Sequence, residues 1–286
     1  LDQGVKGLSS TRNVLSKIGI PYVGVGDNID KASEPHVIEK NGKRIGIYSC
    51  AEHEFSIATE STAGANPFEP LESLDHILGL KRHCDFVIVL YHGGKEHYRY
   101  PSPYLRKVCR KMVEKGTDLV ITQHSHCIGC YEQYEGSTIV YGQGNFVFDH
   151  SESEFWKTSI LVKVNLENPT SIDYVPIVKE AEKVRMANTR EANEILSAFH
   201  KRSEEILKLG FVEETYHEFA KQNIDRYIRQ LAGWGRWFWA LDKTLLGGKL
   251  LKKKYSKKEL LAIENFFSCE AHRELLINAL RERPTG

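Results

Sequence analysis

Phe86-Val-Ile-Val-Leu-Tyr91 is an unbroken run of β-branched, aliphatic and aromatic residues, the pattern of a strand covered on both faces. On either side the apolar period changes to that of a helix. Leu71 to Arg82 places Leu71, Leu74, Ile77 and Leu78 on one face, and Pro103 to Lys115 does the same with Leu105, Val108, Cys109 and Met112. Gly116 suits the residue just past a helix end, and Asp118-Leu-Val-Ile-Thr122 supplies a second buried strand. Strand, helix and strand in this order form a β-α-β unit, so the two strands are expected to run parallel with their carboxyl ends on one edge.

Other segments predict antiparallel pairs. Asn41-Gly42 lies between His36-Val-Ile-Glu39 and Lys43-Arg-Ile-Gly-Ile-Tyr48, a two-residue hairpin signal. Glu135-Gly136 turns between Ile128 to Tyr134 and Ser137 to Tyr141, and Ile160 to Leu166 faces Ile172 to Ile177. Beyond residue 179 the strand signals stop and helical patterns run over 189–209, 212–231 and 256–281. The expectation is an α/β fold, a mixed β-sheet sandwich flanked by helices over 1–178, with an all-helical region over 179–286.

Composition narrows the function classes. The chain has 286 residues with 39 Lys and Arg against 38 Asp and Glu, and 10% aromatic residues, which excludes a disordered chain and a globally basic nucleic-acid binder. The balance hides an asymmetry: residues 1–178 carry 18 basic and 22 acidic side chains, residues 179–286 carry 21 and 16. No apolar run is long enough to cross a bilayer, and no signal-peptide pattern opens the chain. Cysteines at 50, 84, 109, 127, 130 and 269 form no framework and read as free thiols, which leans toward a reducing compartment.

The candidate chemistry follows the two buried strands. His92-Gly-Gly-Lys-Glu-His-Tyr98 comes directly after Tyr91, and His124-Ser-His126 lies two residues past Thr122. In an open α/β sheet, ligands bind beyond the carboxyl ends of the strands, so both segments point at one place. Neutral imidazoles are common ligands of zinc and related divalent ions. On its own a His-x-His pair also suits a surface turn of polar residues; its position after a buried parallel strand is what favours a ligand role. Gly93 and Gly94 allow close approach of the backbone to a substrate. Glu96 is a candidate acid/base or an orienting partner of an imidazole. Tyr141-Gly-Gln-Gly-Asn145 presents Gly144 and Asn145 toward the same edge, or else forms a glycine turn with Asn145 in a left-handed conformation. Cys127 and Cys130 have ligand spacing but no second pair, and read as structural thiols.

These segments together resemble the CapA family, capsule and poly-γ-glutamate biosynthesis proteins whose fold is similar to that of calcineurin-like metallophosphoesterases. The resemblance runs in order through Asp2-x-Gly4, Gly24-x-Gly26, His92-Gly-Gly-x-Glu96-x-Tyr98, Gly116-Thr-Asp-Leu-Val-Ile-Thr-Gln-His-Ser-His126 and Tyr141-Gly-Gln-Gly-Asn-Phe-Val-Phe-Asp149. A softer match, Glu270-Ala-His-Arg-Glu274, lies in the tail. Gly94, Thr122 and Ser125 depart from the family's Trp, Gly and Pro, changes that bear on substrate fit. The resemblance implies His92, His124 and His126 as ligands of a divalent metal, manganese, iron or zinc, with Glu96 and Asn145 as catalytic groups beside them. It further implies metal-assisted hydrolysis or transfer, an anionic polymer or its precursor as partner, and a membrane-associated or cell-surface setting. The family's opening Gly-Asp strand and Asn-Asn-His segment are not found. The chain is therefore expected to begin inside the domain, short of part of its ligand set and inactive as it stands. A non-catalytic component of a polymer export assembly is the rival expectation; a generic phosphatase or nuclease of the same fold is a third.

Residues 234–258 combine Trp234, Trp237, Phe238 and Trp239 with Lys249, Lys252, Lys253, Lys254, Lys257 and Lys258. Aromatic rings beside clustered lysines suit an anionic membrane surface, and the same charges attract an acidic polymer. Tryptophans packed on the α/β body with solvated lysines form the alternative.

Overall fold

The computed structural model describes residues 3–54, 56–147, 153–166, 171–180, 183–233 and 235–281, with only the backbone of Arg236, Lys252 and Arg281. Asp2, Phe148, Asp149 and Trp234, named above, lie outside the described residues.

The first helix, α1 (Gly4–Lys17), has no buried residue. It is tied to the segment ahead of it by Arg12, whose guanidinium pairs with both oxygens of Asp27. A two-residue strand β1 (Val25–Gly26) and a short α2 (Ile29–Ser33), capped by the Asn28 side chain, precede the main sheet. The hairpin of β2 (His36–Lys40) and β3 (Lys43–Ala51) then forms where Asn41-Gly42 predicts it, with φ of 53° and 73° at the two turn residues. After β4 (Gly64–Ala65), which pairs with β1, come α3 (Ser73–Lys81), β5 (Phe86–His92), α4 (Pro103–Glu114) and β6 (Leu119–Gln123). Next are β7 (Ile128–Tyr134) and β8 (Ser137–Gln143), turning at Glu135-Gly136 with φ of 49° and 83°. The four-residue α5 (Glu154–Lys157) leads into β9 (Thr158–Val164), β10 (Ile172–Glu180) and β11 (Lys183–Met186), followed by α6 (Thr189–Glu205).

Six strands form one sheet in the order β2-β3-β5-β6-β8-β7. The inner four, β3, β5, β6 and β8, run parallel, and the outer two pair antiparallel. Alternation along the buried strands fills both faces. Tyr48, Val87, Val89, Val120 and Ile139 meet Ile77 and Leu80 of α3 and Leu105, Val108 and Met112 of α4. On the opposite face Ile45, Phe86, Leu119, Ile121 and Val140 meet Ile160 of β9 and Phe199 of α6. The second sheet, β11-β10-β9, is antiparallel throughout. The architecture is the expected one, a mixed sheet sandwich with flanking helices.

The chain divides into two compact units at His217/Glu218. The expected division near 179 falls inside the first unit. Strand β10 continues to Glu180 and pairs with β11, and α6 sinks Phe199 into the core beneath the sheets, so both elements belong with the α/β body. The remaining helices are α7 (Phe211–Leu231), α8 (Arg236–Leu245), α9 (Lys249–Lys254), α10 (Lys257–Ser268) and α11 (Glu270–Arg281). The pattern over 256–281 is two helices, because Cys269 is extended at φ −80° and ψ 118°. Among the described residues no helix is long and apolar enough to cross a membrane.

Candidate functional site at the carboxyl edge of the parallel strands

The four parallel strands end on one edge, and each continues into polar residues. Glu52 and Glu54 follow β3, His92 closes β5, His124 and His126 follow β6, and Asn145 follows β8. Backbone bonds draw these ends together: the Glu52 N–H donates to the His92 carbonyl at 2.9 Å, and the Gly93 N–H donates to the Gln123 carbonyl at 3.0 Å. The three histidines meet there. The rings of His92 and His124 stack with centroids 4.7 Å apart and planes at 26°, and His126 crosses His124 at 6.2 Å and 71°.

Their backbone is held in uncommon conformations. His124 has φ of 99°, His126 of 53° and His97 of 57°. Left-handed backbone in residues other than glycine concentrates at sites where the surrounding structure forces it. Here the His97 N–H donates to the Ser125 carbonyl at 2.7 Å, between the two strained histidines of the second loop.

Asn145 fixes the proton position on His126. Its buried amide nitrogen donates to the carbonyls of His126 at 3.0 Å and Phe155 at 3.3 Å, which leaves its oxygen as the acceptor facing His126 Nδ1 at 2.9 Å. Nδ1 therefore carries the proton, and the lone pair of the neutral ring sits on Nε2. His124 is surrounded by carboxylates: Nε2 lies 3.5 Å from Glu54 and 3.9 Å from Glu96, and Nδ1 lies 3.9 Å from Glu52. Among the described residues Nδ1 of His124 is buried with no hydrogen-bond partner. Partial burial among these rings pushes His92 below the usual histidine pKa, and His124 and His126 act in the same direction. Burial raises the pKa of Glu52, against the Gly94 N–H, which donates to its carboxylate at 3.2 Å.

The donor types suit a divalent ion, and the buried Nδ1 of His124 is a polar atom that such an ion could satisfy. The arrangement does not complete a site. Lone pairs lie in the ring planes, so stacked imidazoles cannot both aim at a point between them, and among the described residues no group of three His, Cys, Asp or Glu is placed to hold a metal ion. The residues present fit a metal in kind and not as a closed set.

The sequence expectations place differently. His92, His124, His126, Glu96 and Asn145 come together. Gly93, Gly94 and Gly144 make room for the protein's own atoms: a Cβ at Gly93 would lie 2.8 Å from the Tyr91 ring, at Gly94 3.3 Å from Leu105, and at Gly144 2.6 Å from the Thr158 carbonyl. Cys127 and Cys130 are free and buried, and burial raises both thiols. Glu52 and Glu54 were missed, although the rule applied to β5 and β6 also covers the residues after β3. Phe155 and Trp156 of α5 were missed too; Phe155 stacks on His97 at 5.6 Å and Trp156 on His126 at 5.1 Å. Arg99 anchors this aromatic pair, stacking over Phe155 at 4.5 Å while pairing with Glu154 at 2.9 Å.

Residues 1–150 match the family described as bacterial capsule synthesis protein PGA_cap. The PGA biosynthesis protein CapA of Bacillus subtilis is 31% identical over 171 residues, 58% of this chain and 44% of that protein. The capsule biosynthesis protein CapA of Bacillus anthracis is 31% identical over 184 residues, 62% of this chain and 44% of that protein. The chain thus spans less than half the length of either relative. Among solved structures, a 5'-nucleotidase of Candida albicans superposes with a TM-score of 0.37 at 15% identity, over 76% of this chain and 40% of that one.

Proposed function

The chain belongs to the bacterial capsule synthesis protein family PGA_cap, and from that premise we propose that its first unit serves the biosynthesis of an anionic surface polymer, of the poly-γ-glutamate class, as a hydrolase or transferase. The observation that supports this reading is the meeting of His92, His124 and His126 at one strand edge, two of them in forced backbone conformations. In the proposed step, water or a polymer amine attacks the carbonyl carbon of an amide or ester link. His126 Nε2 takes the nucleophile's proton, because Asn145 holds the other ring proton on Nδ1. Glu96, near His124, returns a proton to the departing nitrogen or oxygen as the old bond breaks.

A divalent cation, manganese, iron or zinc, belongs to the same proposal, with His124 among its donors and its remaining ligands outside the set described; the stacked His92 does not aim at the same point, and the one lone pair of His126 serves as the base. No step above is routed through it. Elemental analysis of the purified chain and of His124→Ala tests the cation: unchanged metal content in the variant removes it. Assays on γ-glutamyl, ester and phosphodiester substrates with added metals test the reaction, which His126→Ala and Glu96→Gln are expected to abolish.

A second reading, a non-catalytic component of a polymer synthesis or export assembly, is favoured by the open ligand set. It predicts no turnover on any of these substrates while polymer binding persists.

A further inference from the structure

In the second unit, α8 carries Trp237, Leu241 and Leu245 at i, i+4 and i+8, one stripe along the helix. Trp237 is 87% exposed, Leu241 53% and Leu245 75%. The neighbouring ring Trp239 is instead engaged by cations of its own unit, Arg229 at 4.7 Å and Lys243 at 4.8 Å. The stripe is thus the aromatic and aliphatic surface that α8 leaves to solvent.

The charge beside it is one-sided. Residues 236–258 contain seven lysines and one arginine against a single acidic residue, Asp242. That carboxylate is 2% exposed and is used up as a cap: it accepts the N–H groups of Leu250 at 3.0 Å and Leu251 at 3.1 Å. Gly248, at φ 77°, makes the turn that allows this, and Leu251 of α9 is buried. The cap fixes α9 to the end of α8. Lys249 and Lys253, four residues apart and exposed, then stand on the solvent side of α9, with Lys257 and Lys258 at the start of α10. Among the described residues none of these four lysines is paired with a carboxylate.

We infer that this helical unit docks on an anionic lipid surface, with the Trp237, Leu241 and Leu245 stripe entering the headgroup region and the lysines of α9 and α10 bound to lipid phosphates. An acidic polymer would satisfy the lysines but has no use for the apolar stripe; a lipid interface satisfies both. The unit lies on the membrane in this arrangement and does not cross it, since among the described residues no helix is both long and apolar enough to span.

The test uses the whole chain with vesicles of phosphatidylcholine alone and of phosphatidylcholine mixed with phosphatidylglycerol. Flotation with the anionic vesicles only is expected, with quenching of tryptophan fluorescence by brominated acyl chains that Trp237→Phe removes. Reversing Lys249 and Lys253 to Glu is expected to weaken partitioning by at least about tenfold, since each near-surface cation is worth roughly fivefold. The double variant Leu241→Glu, Leu245→Glu alters exposed positions only and is expected to abolish quenching while circular dichroism stays unchanged. No flotation, or equal flotation with neutral vesicles, overturns the inference. So does salt-sensitive binding that the double variant leaves intact, the signature of a polyanion contact, or self-association that protects Trp237 without lipid.

Discussion

Asn145 and His126 hold each other by two hydrogen bonds of opposite sense, ring Nδ1 to the amide oxygen at 2.9 Å and amide nitrogen to the His126 carbonyl at 3.0 Å. The pair sets both the backbone of the second histidine loop and the tautomer of the ring at its end. Asn145→Ala is expected to shift the neutral His126 ring toward a mixture of tautomers, read directly from the nitrogen chemical shifts of the imidazole. It also strands two part-buried carbonyls, so a stability loss of about 1–2 kcal/mol is expected in urea unfolding. A variant that keeps the Nδ1 proton in place would break the link between the two residues.

His124 carries φ of 99°, a conformation that glycine adopts without cost. Strain of this kind is worth about 1–3 kcal/mol. His124→Gly is therefore expected to be more stable than His124→Ala by an amount of that order, while both lose whatever activity the site has. Both variants remove the same ring, so the two denaturation midpoints compare the backbone strain net of the roughly 0.5–1 kcal/mol that glycine costs through the freedom of the unfolded chain. Equal midpoints would show that the loop relaxes freely and that the conformation stores nothing.

Much of the sheet was legible because its signals are local. Asn41-Gly42 and Glu135-Gly136 place two hairpins, and the apolar run at Phe86 to Tyr91 marks a central strand. The histidines were legible for the same reason: His92 comes directly after such a run, and His124 and His126 follow within four residues of another. What escaped reading is set by contacts between distant segments. Nothing near Glu54 announces that β3 lies beside β5 and so delivers a carboxylate to His124. Trp156 reaches His126 only because α5 folds back over the edge from thirty residues away. Helix α1 carries Val5, Leu8 and Leu15 at helical spacing, but it buries no residue, so no core contact marks it out.

Glu52 makes the site a pH-dependent liability. Burial raises its pKa above the carboxylate value of 4.5, so the folded state holds a proton more tightly than the unfolded chain. Its contribution to stability is then fully present below pH 4.5 and is lost as pH rises through the folded-state value. Glu52→Gln, which cannot ionise, is expected to gain stability relative to the parent at pH 8 and to show no such gain at pH 4. Urea unfolding at the two pH values checks the sign; a variant destabilised equally at both would mean the carboxylate is favourably held.

Glu132 shows the opposite treatment of a buried carboxylate, and it ties the sheet to the helix behind it. It projects from β7 with its side chain 1% exposed, and Arg106 and Arg110 of α4 and the Tyr141 hydroxyl all donate to it. Burial, the largest single influence, would raise its pKa; the two guanidinium groups overcome this and hold it below the usual carboxylate value. Removing the carboxylate leaves two part-buried guanidinium groups without their counter-ion; a fully buried pair loses about 3–5 kcal/mol, and the solvent access of Arg110 brings the cost toward the lower end. Glu132→Ala is expected to lose stability on that scale, since Arg106 and Arg110 then face each other without a counter-ion. Replacing all three charged residues with apolar ones of similar volume is expected to recover most of the loss. The same depressed pKa fixes the pH trend: the carboxylate's contribution is present above pH 4.5 and is lost as pH falls through its folded-state value. Parent and Glu132→Ala melting curves should therefore converge as the solution is acidified, and curves that stay apart would assign the stability to packing around Glu132 instead of to its charge.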